Sequence, residues 1–262
     1  MSLFALPTEA QHATKKTKLV AEIGNNHLGV VERARAMLAQ VLESGVDAVT
    51  FQVRERRFYE SPEMSHLGLP LGFFEEAAAT THREGRQFGI AICDESLIAP
   101  LDSLGIDFWK TLSWDFRNEE LRSVLQNTGR PVFYSTGVSG MQDILEVSPK
   151  LHNAILIHTQ LSQNLDDVNV KAIRTMESAT ALPIAFGLHC QNLDVLKLAI
   201  AFEPHSLFFY VKVSGIPAYD DEHAIPLDKL AETVHSLKEL MTAVGTGVKS
   251  GMETPAWVRA SK

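Results

Sequence analysis

Eight short runs rich in β-branched or aromatic residues recur along this chain, each followed by an amphipathic helical stretch. That alternation leaves few folds open. The runs are 18–24 (KLVAEIG), 48–53 (AVTFQV), 87–93 (QFGIAIC), 107–112 (DFWKTL), 131–136 (PVFYST), 153–159 (NAILIHT), 183–189 (PIAFGLH) and 206–213 (SLFFYVKV). An open doubly wound sheet would show the same pattern, but eight units within 262 residues match a closed (β/α)8, or TIM, barrel. The runs are nearly continuous in apolar residues, as expected of strands covered on both faces. In the first helical stretch Ala34, Met37, Leu38, Val41 and Leu42 mark one buried stripe, which stops before Gly45. In the last, Leu230, Val234, Leu237 and Met241 do the same, with Pro226 near the first turn.

A chain that is 45% hydrophobic, with no Gly/Ser- or Pro-rich linker, reads as one domain. The expected division is a leader (1–17), a barrel (18–245) and a tail (246–262). The leader lacks the basic start and apolar core of a secretory signal, and no run reaches the length of a membrane span. Two cysteines, Cys93 and Cys190, read as reduced thiols, which suits a cytoplasmic protein. A net charge of −8 argues against nucleic acid as a partner, while leaving a small anionic ligand to local clusters. Arg54, Arg56 and Arg57 form one such cluster, read either as solvated loop arginines or as charge for that ligand.

Barrel chemistry sits where strands end. The strand ends here supply Glu22, Asn25, Asn26, His27, Gln52, Arg54, Cys93, Asp94, Lys110, Ser113, Asp115, Ser135, Thr136, His158, Thr159, His189, Gln191, Lys212 and Ser214, with Gln163, Asn169 and Asp220 in later segments. Carboxylates, a lysine and hydroxyls at one mouth suit a small, polar, anionic ligand. An unpaired carboxylate inside an apolar strand is costly, so Glu22 is either paired with Lys110 or used in chemistry. Lys110 serves as a charge partner for phosphate or carboxylate, or as an amine for Schiff-base chemistry. Ser135-Thr136-Gly137 offers hydroxyls and backbone N–H groups to a phosphate, or is an ordinary turn. His27 and His158 read as satisfied strand-end histidines or as ligand contacts.

AEIGNNHLG (21–29), DAVTFQ (47–52), WKTLSWDFRN (109–118) and PVFYSTGV (131–138) resemble the sialic acid synthases, and the order and spacing of the segments match over 18–245. The resemblance implies a TIM barrel that condenses phosphoenolpyruvate with an N-acyl-hexosamine, assisted by a divalent metal such as Mn²⁺ or Mg²⁺. It implies that Glu22, Gln52 and Asp115 surround the sugar and its reacting carbonyl, with Asn26 and His27 beside them. Lys110, Ser113, Ser135 and Asn169 correspond to residues that hold phosphoenolpyruvate, and Asp220 to a carboxylate near sugar and metal. Glu22, Asp115 and Lys110 are thus the expected catalytic residues.

Several positions depart from the family pattern. Thr50 stands where a phosphate-binding lysine is usual, and Ala91 where a hydroxyl is. Gln191 and Val213 replace the expected metal ligands, leaving His189 as the one candidate, with His223 a newcomer nearby. The family's C-terminal antifreeze-like domain, which caps the partner's site in a dimer, is expected to be lacking. A homodimer or a separate capping subunit would then close the site. The first expectation is a sialic acid synthase-like enzyme making a 2-keto sugar acid. The alternatives are a metal-free aldolase using Lys110 as a Schiff-base amine, and a non-catalytic relative that binds a sugar or a partner.

Overall fold

The computed structural model describes residues 17–245 and Gly251. The expected leader, except Thr17, and the expected tail, except Gly251, lie outside the described residues. Eight strands alternate with helices: β1 (Lys18–Gly24), α1 (Val31–Glu43), β2 (Ala48–Val53), α2 (Arg56–Glu60), α3 (Leu71–Arg83), β3 (Gln87–Ile92), α4 (Ile98–Asp102), β4 (Phe108–Thr111), α5 (Glu119–Asn127), β5 (Val132–Ser135), α6 (Met141–Val147), β6 (Ala154–His158), α7 (Ala172–Thr180), β7 (Ile184–Gly187), α8 (Asp194–Ile200) and β8 (Ser206–Lys212). A two-residue β9 (Ile225–Pro226) pairs with β8, and α9 (Leu227–Val244) follows. Each strand pairs in parallel with the next, and β1 pairs with β8, so the sheet closes into the expected TIM barrel. All eight strand expectations hold, the first two to the residue and the other six with ends one or two residues long. Most of the surplus lies at the C-terminal ends, where residues such as His189 have left the ladder for the mouth.

All five stripe residues of α1 are buried, and Gly45 beyond it has φ +85°, a left-handed value that costs glycine little. In α9 Leu230, Val234 and Leu237 are buried and Met241 packs half-buried against them. Among the described residues no helix is long and apolar enough to cross a membrane.

Side chains alternate along a strand, so every second residue points into the barrel. Val20, Ala48, Phe108, Phe133, Ile155, Ile157, Ala185 and Phe208 form a core cluster separate from the one under the helices. Phe133 sits edge-on to both Phe108 (5.2 Å) and Phe208 (5.1 Å), which plugs the interior. Gly89 makes room for this plug, since a Cβ there would overlap the Phe108 ring. Two residues further along their strands, the inward positions become Glu22, Thr50, Lys110, Ser135 and Tyr210. An apolar plug therefore carries a polar floor, and the mouth opens above it.

Candidate active site

Above that floor lies a cavity of about 250 Å³ lined by residues of six strand ends, among them Gln52, Arg54, Lys110, Ser113, Ser135 and Asp220. At its base the Lys110 ammonium donates to Glu22 Oε2 at 2.8 Å, both side chains being buried. Of the two sequence alternatives for Glu22 the structure shows the pairing, with a lysine that itself lines the cavity. Ser113 comes close because Gly137 carries no side chain; a Cβ there would stand 2.6 Å from Ser113 Oγ. That clearance is what the Ser135-Thr136-Gly137 string contributes, while the Thr136 hydroxyl is spent on the Ile157 carbonyl (2.8 Å).

Asp220 reaches the cavity from the loop after β8. Its N–H donates to Asn26 Oδ1 (2.8 Å), and Asn26 Nδ2 in turn donates to the Val211 carbonyl (2.8 Å). Gly24, at φ +56°, lets this loop approach, since a Cβ would meet Tyr210 Cε1 at 2.9 Å and Asp220 Oδ2 at 3.3 Å. Asp220 Oδ2 is buried without a hydrogen-bond partner. Burial first, and then the Glu22 carboxylate, push the Asp220 pKa up to about 7, against the pull of Lys110 and Arg54. A neutral carboxylic acid at the mouth is an available proton donor.

Three expected substrate contacts stand elsewhere. Asn26 is a brace rather than a cavity residue, both its polar groups being spent on backbone. His27 accepts the Gly29 N–H at Nδ1 (2.9 Å) and tilts against Phe51, and burial lowers its pKa to about 4. Asn169 is exposed and takes part through its backbone, its carbonyl accepting the His158 Nε2–H at 3.0 Å. Asp115 is a fourth displacement. It lies in a 3₁₀ turn (Ser113–Asp115) outside the cavity lining, and burial, then nearby Glu55 and Glu95, push its pKa up to about 6 despite Asn118 and Arg54. Gln52, Lys110, Ser113, Ser135 and Asp220 converge as expected.

His189 lines the cavity, yet its ring faces His223 at 4.7 Å and Tyr210 at 5.6 Å. Burial, then His223 and Lys110, bring its pKa down to about 3, and burial brings His223 to about 4, so both rings are neutral. A divalent ion would need a convergent donor set. Among the described residues no three His, Cys, Asp or Glu side chains are placed to hold one, and Glu22 is already occupied by Lys110. Gln191 is exposed, and Val213 offers no donor. The residues present do not fit the expected ion.

Two tyrosines were not assigned from sequence, and the basic cluster that was read from it resolves into one cavity residue. Tyr210 and Tyr219 line the cavity, Tyr210 following the inward register from Phe208, which the alternation could have shown. Arg54 separates from its neighbours: it lines the cavity, whereas Arg56 and Arg57 are exposed on α2.

The NeuB family model matches residues 37–249 of this sequence. The chain belongs to the NeuB family. Two curated relatives are similar along most of their length. One is the N,N'-diacetyllegionaminic acid synthase of Legionella pneumophila, 25% identical over 92% of this chain and 77% of that protein. The other is human N-acetylneuraminate-9-phosphate synthase, 25% identical over 88% of this chain and 72% of that protein. In fold, the chain is similar to the N-acetylneuraminic acid synthetase of Leptospira borgpetersenii, solved with citrate. That match has a TM-score of 0.84 and 22% identity and covers 98% of this chain and 95% of that one.

Proposed function

We propose that this NeuB-family chain is a synthase that condenses phosphoenolpyruvate with an N-acyl-hexosamine or related sugar aldehyde to give a 2-keto sugar acid. The observation that carries the reading is the cavity itself: a buried Lys110–Glu22 pair, flanked by Ser113 and Ser135, faces Asp220 across the mouth. The synthase names of its relatives agree with it.

In this reading Lys110, Ser113 and Ser135 hold the phosphate and carboxylate of phosphoenolpyruvate, while Gln52 and Asp220 face the sugar. C3 of the enol attacks the aldehyde carbon, and Asp220 gives its proton to the aldehyde oxygen. Water then adds at C2 and Glu22 takes one of its protons; the C2–O bond to phosphate breaks as the C2 carbonyl forms, and the departing phosphate carries off the remaining hydroxyl proton. This proton chemistry rests on groups that are present, and no step uses a divalent ion. The mouth is open, with Trp114 and Tyr219 exposed beside it, so excluding water from the reaction requires a covering element. Two free cysteines suit a reducing, cytoplasmic setting.

The Schiff-base alternative also uses Lys110, but its Nζ is held 2.8 Å from Glu22 Oε2 in a buried ion pair, which it would have to leave to attack a carbonyl. Borohydride with pyruvate is therefore expected to leave Lys110 unmodified. The direct test incubates the protein with phosphoenolpyruvate and N-acetylmannosamine or a related amino sugar, with Mn²⁺ or with EDTA. Phosphate release and a keto-acid product are expected, both abolished in Glu22→Gln. Absence of turnover across a panel of amino sugars would remove the synthase reading.

A further inference from the structure

The cavity must attract a highly charged anion, yet its charges nearly cancel. Lys110 is tied to Glu22 at 2.8 Å, His189 is neutral, and Asp220 adds negative charge once it ionises. Among the described lining residues the other cation is Arg54, whose carboxylate partner, Glu55, stands outside the lining. Its guanidinium lies 4.1 Å from the Phe58 ring and 5.2 Å from the Trp114 ring, and Phe58 is itself edge-on to Tyr219 at 6.2 Å. Nε and Nη2 donate to the two oxygens of Glu55 (3.1 and 3.2 Å), which fixes the plane of the guanidinium. The side chain is 11% exposed. Trp114 follows Ser113, so the same wall carries the guanidinium and a cavity hydroxyl. Such a clamped, planar cation is pre-organised for an oxyanion at small entropic cost.

We infer that Arg54 is the anion-binding residue of this cavity and takes the phosphate group of a phosphorylated substrate, completing a cradle with Lys110, Ser113 and Ser135. The inference rests on reading the cavity as the substrate site, and it deepens the proposed function by naming the residue that brings the phosphate in.

Calorimetric titration of the pure protein with phosphoenolpyruvate, inorganic phosphate and pyruvate tests it. Arg54→Gln is expected to weaken both phosphate-bearing ligands at least tenfold and to leave pyruvate unchanged, with Arg54→Lys between. Arg57→Gln removes the same charge from the exposed turn and should change nothing. Glu55→Gln should tighten phosphate, a change of opposite sign that a merely structural role would not produce. Far-UV circular dichroism establishes that each variant is folded. Unaltered phosphate affinity in Arg54→Gln, or an equal loss in Arg57→Gln, overturns the assignment. If phosphoenolpyruvate still turns over in that case, the synthase reading survives. If inorganic phosphate binds through Arg54 and phosphoenolpyruvate does not bind, the synthase reading falls and Arg54 keeps its role. Binding of neither anion overturns both.

Discussion

Removing Lys110 should damage this protein far more than removing its partner. Nζ and Glu22 Oε2 stand 2.8 Å apart with side chains only 6% and 4% exposed. At an effective dielectric constant of about 20 their attraction is about 6 kcal/mol, much of it offset by desolvation of both ions. Lys110→Met leaves Glu22 buried without that cation, while Asp220, whose carboxyl already feels Glu22, stays close. Breaking such a pair costs about 3–5 kcal/mol. Glu22→Gln leaves the ammonium instead, but Asp220 can then ionise more easily, since Glu22 no longer opposes it and Lys110 still attracts it. We expect that loss to be smaller, about 1–2 kcal/mol, the order of one unmade buried hydrogen bond. The double variant should recover part of the Lys110→Met loss. Urea unfolding at pH 7.5 measures all three, and calorimetry should show Lys110→Met melting roughly 6–20 °C below the parent. Equal losses in the two single variants would refute the reasoning, because they would mean that Asp220 does not compensate.

Asp220 also sets a pH dependence. The folded chain holds its proton up to about pH 7, whereas the ordinary value is 3.8, so the unfolded chain ionises first and stability falls as pH rises through that window. The full effect is up to about 4 kcal/mol; Asp220→Asn should abolish it, making the variant more stable than the parent at pH 8 but not at pH 4 in urea melts. Asn26→Ala strands two backbone groups at the barrel mouth, at about 1–3 kcal/mol each, and hydrogen exchange at the Asp220 amide should accelerate. Gly137→Ala drives a methyl against Ser113 Oγ. A stability loss of about 1–3 kcal/mol and a raised KM for the phosphate-bearing substrate are expected, from denaturation and steady-state kinetics; an unchanged KM would remove Ser113 from the phosphate cradle.

Much of this was legible in the chain because it is local. A βα unit carries its own periodicity, so eight units and the buried stripe of α1 can be read from spacing alone, as can Gly45 at its end. Glu22 and Lys110 were conspicuous for a similar reason, being charges inside apolar runs. What spacing cannot carry is which loop residues meet. Asn26 and Asp220 are 194 positions apart, and their bond exists because β1 and β8 close the barrel. Asn26 therefore looked like a ligand contact and is a brace, and Asp115, on a promising strand end, lies in a 3₁₀ turn outside the cavity lining. Arg54, Arg56 and Arg57 are indistinguishable as a basic string, and closure placed only the first in the cavity wall. The sequence by itself thus determined the architecture and the polar floor, since alternation along a strand dictates both. The tertiary structure alone decided the wall and the proton inventory. Orientation of loop side chains, and the desolvation that raises Asp220 and neutralises His189, depend on neighbours brought from distant units of the barrel.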